Sequence, residues 1–178
     1  MPENVGMLIL RATRKLRAKI GGAAPMAGEA STTLLGDWYA NLIGWRRPHV
    51  IVVNARTLVP VIAPLTPAKG FPGRLADVIA GALGALDVPE DVVEAERERM
   101  REVGVAPTLD RSVVGSMTDF IFLADHRRDR AALDLGELCR ELAHVPCGPL
   151  YKSHTFPDAE LRAVLGLADG SADPRISD

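Results

Sequence analysis

The stretch VIVVNARTLVPVI, Val50–Ile62, decides the fold. Val50–Val53 is a β-branched run and reads as a strand. Asn54–Ala55–Arg56–Thr57 is a connection of hairpin length made of turn-forming residues. Leu58–Ile62 is then the partner strand. So short a connection allows no crossover, so the two strands pair antiparallel. Pro60 and Pro64 cannot donate to a ladder, so the second strand lies at a sheet edge or ends early.

Upstream, Trp38, Ala40 and Leu42 alternate as in a strand, although Trp38, Leu42 and Trp45 also fit helical spacing. Gly36 in front and the Arg46–Arg47–Pro48 turn behind favour a strand over Asp37–Ile43. Met7–Leu10 reads as a short buried strand. A basic segment of one or two helical turns follows, Arg11–Lys19, and then a loop rich in Gly, Ala and Pro, residues 21–30.

Downstream, helices dominate. Pro72 opens one whose apolar face is Leu75, Val78, Ile79, Ala82, Leu83 and Leu86. Asp87 is placed to cap the next, with Pro89 just inside. Val103–Val105 is a further short strand, stopped by Pro107. Asp110 is an N-cap for a helix from Arg111 to about Asp125. Asp134 with Glu137, and Thr155 with Asp158, resemble capping boxes for two more. The pattern predicts an α+β fold: a small, mainly antiparallel sheet, made of the N-terminal strand plus the meander, packed against several C-terminal helices.

Composition sets the limits. The chain has 178 residues, 47% of them hydrophobic and 25% charged. That suits one domain with its own core, and excludes disorder throughout. Residues 7–168 read as the globular domain, 1–6 as an N-terminal extension and 169–178 as a polar, disordered tail. The net charge of −2 excludes a protein that coats nucleic acid over its whole surface. Cys139 and Cys147 form neither a disulfide scaffold nor a CxxC pair, which points to a reducing, cytoplasmic compartment. No apolar run approaches the roughly 20 residues that span a bilayer, so no membrane is expected.

Four strings carry a resemblance: MLILRATRKL (Met7–Leu16), LGDWYANLIGWRR (Leu35–Arg47), VIVVNARTLVPV (Val50–Val61) and APTLDRSVVGSMTDF (Ala106–Phe120). In this order and spacing the chain is similar to the prokaryotic domain-of-unknown-function 6933 family, to about Leu150. The resemblance implies a single small intracellular domain and no particular activity. Asp110 and Thr118 stand where that family's strings carry Asn. Both keep a short polar side chain.

The motifs of common chemistries are missing. His49, His126, His144 and His154 are scattered without HExxH, so no metal is expected. No P-loop, GxGxxG or GxSxG occurs, so no cofactor is expected. Two polar groups remain. Ser112, Ser116 and Asp119 share one helix face, with Arg111 at the helix start. Asn41, Asn54, Arg56 and Thr57 gather at the ends of the meander. Together they form a candidate ligand-binding set, in which Arg111 is expected to reach the Asn54–Thr57 connection. The structural alternative makes Asn54 and Thr57 turn residues, Gly115 and Ser116 small for close packing, and Asp119 a solvated acid.

The second group is basic. Arg11, Arg14, Lys15, Arg17 and Lys19 include no acid, and Arg14, Lys15, Trp45, Arg46 and Arg47 are the candidate partner surface, for protein or nucleic acid. The alternative is a solvated face, or ion pairs with Glu94, Glu96 and Glu98. The leading expectation is a non-catalytic cytoplasmic binding or regulatory module. The rival is an enzyme of unknown reaction class built on Arg56, Arg111, Ser116 and Asp119.

Overall fold

The computed structural model describes residues 5–127 and 134–168. Its five strands are β1 (Met7–Ala12), β2 (Trp38–Ile43), β3 (His49–Asn54), β4 (Pro60–Pro64) and β5 (Glu102–Pro107). The helices are α1 (Arg14–Ile20), α2 (Phe71–Ala85), α3 (Glu90–Glu98), α4 (Arg111–Arg127), α5 (Leu135–Ala143) and α6 (Pro157–Val164). The expected tail and most of the expected N-terminal extension lie outside the described residues.

The strands form one sheet in the order β4-β3-β2-β1-β5. The meander is antiparallel as expected: Ile51 faces Ile62 across β3 and β4, and Tyr39 faces Val53 across β2 and β3. β1 is parallel to both its neighbours, with Leu10 opposite Trp38 and Val105. The sheet is therefore mixed rather than mainly antiparallel. The reason is the segment between β1 and β2. It includes α1 and is long enough for the crossover that parallel neighbours require.

Both faces are covered. Val50 and Val52 of β3 point into a core with Leu16 of α1 and Phe71, Leu75 and Ile79 of α2. Ile51 and Val53 point into a second core with Val113, Met117 and Phe120 of α4 and Leu138 of α5. A strand buried on both faces needs apolar residues at consecutive positions, which accounts for the unbroken Val50–Val53 run. Helices thus flank the sheet from N-terminal as well as C-terminal segments.

Some local expectations shift. β4 begins at Pro60, because Leu58 adopts φ 59° in the connection. Asp87 caps nothing: it sits at φ 61°, and Pro89 is the N-cap of α3. Phe156 precedes α6 without a side-chain cap, so Thr155 does not cap it. The Asp134 cap is present, with Oδ1 accepting from the N–H groups of Gly136 and Glu137.

At the β4 edge, the N–H of Ile62 donates to Cys139 Sγ at 3.2 Å. Pro60 and Pro64 share that outward orientation and have no N–H, so this edge offers little to an incoming strand.

Candidate functional site

The connection after β3 is held by Asn54, which is fully buried. Its Oδ1 accepts from the N–H of Arg56 (3.1 Å), the N–H of Thr57 (2.9 Å) and the Thr57 hydroxyl (3.0 Å). Its Nδ2 donates to the Leu35 carbonyl at 2.9 Å. Arg56 is exposed and donates to the Leu34 carbonyl at 3.0 Å. Asn54, Arg56 and Thr57 therefore bind their own chain and tie the connection to the loop before β2. Asn41 Oδ1 accepts from the Thr13 hydroxyl at 3.0 Å and tethers the start of α1.

Glu96 completes this loop. It is buried, and its carboxylate accepts from the N–H groups of Leu34 and Leu35 at 2.9 and 3.1 Å. It pairs with no cation of the basic segment. Glu94 and Glu98 pair instead with Arg97 and Arg101. The sequence concealed Glu96 because its partners lie some 60 residues upstream in a segment without periodicity.

At the start of α4, Asp110 caps the helix: Oδ1 accepts from the Ser112 N–H and hydroxyl at 2.8 and 2.7 Å. Those bonds, the hydroxyl's first, hold the Asp110 carboxyl below its usual range. The aspartate thus keeps a capping role where the resemblance expects Asn. Thr118 donates to the Val114 carbonyl of its own helix. Arg111 does not reach the Asn54–Thr57 connection. It is exposed, and its side chain makes no hydrogen bond or ion pair among the described residues. A Cβ on Gly115 meets open space, so this glycine serves no close packing.

Ser116 and Asp119 do share a cavity. It measures about 310 Å³ and lies between α4 and the segment of residues 145–149. Arg56 and Arg111 stand outside it, so the four residues of the enzyme reading are not gathered. Burial first, and the Asp119 carboxylate second, push the Cys147 thiol up to about 11. That thiol stays protonated at neutral pH and is a poor nucleophile.

A polar group not foreseen lies where β1 and β5 part, β1 leading to α1 on one face and β5 to α4 on the other. Such a divergence is the usual ligand crevice of parallel sheets. Beside it the protein's own polar groups bind one another. Arg11 Nε donates to Asp37 at 2.7 Å, the Ser31 hydroxyl donates to the same carboxylate at 2.6 Å, and the Asp110 N–H donates to the Tyr39 hydroxyl at 3.1 Å.

The basic residues behave differently. Arg14 and Lys15 on α1, and Arg46 and Arg47 in the β2–β3 turn, are exposed and unpaired among the described residues. α1 packs beside β2, and the Thr13 N–H donates to the Ala40 carbonyl, so both groups stand at the C-terminal end of β1 and β2. Trp45, half-buried between them and α4, donates its indole N–H to Asp125. Among the described residues, no cluster of metal-ligating side chains is present, and no helix is long and apolar enough to cross a membrane.

Fold and surface define the chain as a small α+β domain with helices on both faces of a mixed sheet. A family model described as Domain of unknown function (DUF6933) matches residues 9–160, and the chain belongs to that family. No curated protein and no solved structure matches it.

Proposed function

We propose that this domain is a non-catalytic cytoplasmic binding module that meets a polyanion, a nucleic-acid backbone, at the basic end of its sheet. The observation that carries this reading is the gathering of unpaired cations at one end of the sheet; Arg99, Arg111 and Arg140 are also unpaired among the described residues, but stand apart at α3, α4 and α5. Arg11, Arg56, Arg74 and Arg97 are each committed to a carboxylate or carbonyl of the protein. Arg14, Lys15, Arg46 and Arg47 keep their donors for a partner. Phosphate groups are recognised by such donors, and the attraction is strongest at low salt. The overall charge of −2 argues against binding over the whole surface.

Trp45 supplies the readout. It is half-buried beside Arg46, whereas Trp38 is fully buried in the first core. Titrating single- and double-stranded DNA and RNA at low salt is expected to change the Trp45 emission saturably, with affinity falling steeply as salt rises. An unchanged emission and anisotropy with all four nucleic acids at low salt would remove the proposal.

A further inference from the structure

The cavity between α4 and residues 145–149 is unusual in what it lacks. Its walls are apolar, from Phe120, Leu123, Val145 and Pro146. Its volume of about 310 Å³ is within the range of small-molecule sites. Asp119, an exposed residue of α4, supplies the charge, and its carboxylate has no hydrogen bond or ion pair among the described residues.

Hydrogen-bond capacity is equally one-sided. Pro146 and Pro149 have no N–H. The N–H of Val145 donates to the Leu142 carbonyl, and that of Cys147 to the Thr155 carbonyl. The Ser116 hydroxyl donates to the Ser112 carbonyl at 3.1 Å, which leaves its lone pairs to accept. Cys147 is neutral and its Sγ faces the Val145 carbonyl. The cavity therefore presents mainly acceptors: the N–H of Gly148 is the one donor of residues 145–149 without a bond among the described residues, and no cation is among the lining residues. An anion or a carbonyl compound finds little to bind there. A ligand that donates hydrogen bonds and carries positive charge finds a carboxylate, a hydroxyl oxygen and apolar walls. The exposed Phe122 ring at the rim adds an aromatic surface that attracts cations.

We propose that this cavity is a binding site for a small organic cation, a primary amine on a compact apolar body, with Asp119 as its counter-ion and Ser116 Oγ as second acceptor. The site is independent of the basic end of the sheet, and either stands without the other.

The test is an amide-resolved NMR titration of the full chain with benzylamine and n-butylamine, and with benzyl alcohol as the neutral control. Saturable shifts are expected at the amides of Ser116, Asp119, Phe122, Val145, Cys147 and Gly148. The alcohol is expected to bind about tenfold more weakly, as when one charged hydrogen bond is removed. Asp119→Asn, which breaks no bond within the protein, is expected to weaken amine binding by about the same factor. Asp119→Glu is expected to retain part of the binding. The absence of saturable shifts with both amines would overturn the proposal. So would shifts that cluster elsewhere, or an Asp119→Asn variant that binds amines as tightly as the parent.

Discussion

Asn54 and Arg111 read as partners in the sequence, and the structure separates them. Asn54 is sealed from water and makes bonds on both sides of its amide, to Arg56 and Thr57 through oxygen and to Leu35 through nitrogen. Removing the amide strands several buried partners, each costly when left unmade. Asn54→Ala is expected to destabilise the fold by on the order of 2–4 kcal/mol in urea denaturation. Arg111→Ala touches no partner and is expected to change stability by less than about 0.5 kcal/mol. Equal effects of the two substitutions would contradict this assignment. Asn54 and Thr57 were legible because turn chemistry is local. Glu96 was not, since one buried glutamate among exposed neighbours on α3 differs only in what folds over it.

At the scale of elements, α4 was legible from its cap to its apolar face. Val113, Met117 and Phe120 are buried as their spacing demands. The Asp110 cap has a consequence for pH. Its folded value is lowered by the Ser112 bonds, relative to about 3.9 in an unfolded chain. Its contribution is therefore fully present above that unfolded value and is lost as pH falls through the lowered folded one. The parent is expected to lose its stability advantage over Asp110→Asn as pH is taken from neutral down through that interval. Thermal unfolding of both proteins across the range measures it, and an advantage independent of pH would contradict the charged cap. Boundaries were less legible than elements. Leu58 reads as strand by composition, yet its positive φ places it in the turn.

For the whole molecule, the antiparallel half of the sheet followed from one short connection, whereas the parallel half did not. Parallel pairing is specified by a crossover, and the crossover here is a short basic helix and an irregular loop that periodicity passes over. The unbroken Val50–Val53 run did hold the clue to a sheet covered on both faces. The same gap hid the bonded polar groups of Arg11, Asp37 and Tyr39 beside β1. With those groups committed to one another, the proposed recognition falls to the unpaired cations at the end of the sheet.

The salt dependence of nucleic-acid binding tests that claim most directly. Each neutralised phosphate contributes about 0.9 to the slope of log affinity against log salt on B-form DNA. Replacing Arg14, Arg46 and Arg47 together by Ala is expected to reduce the slope by about one unit for every phosphate that is no longer neutralised. The fold is expected to stay intact, because none of the three side chains is bonded within the described residues and the Arg47 carbonyl that meets the His49 ring is kept by the replacement. A slope unchanged by the triple replacement, in a protein that still binds, would place the nucleic acid elsewhere on the surface and contradict the account.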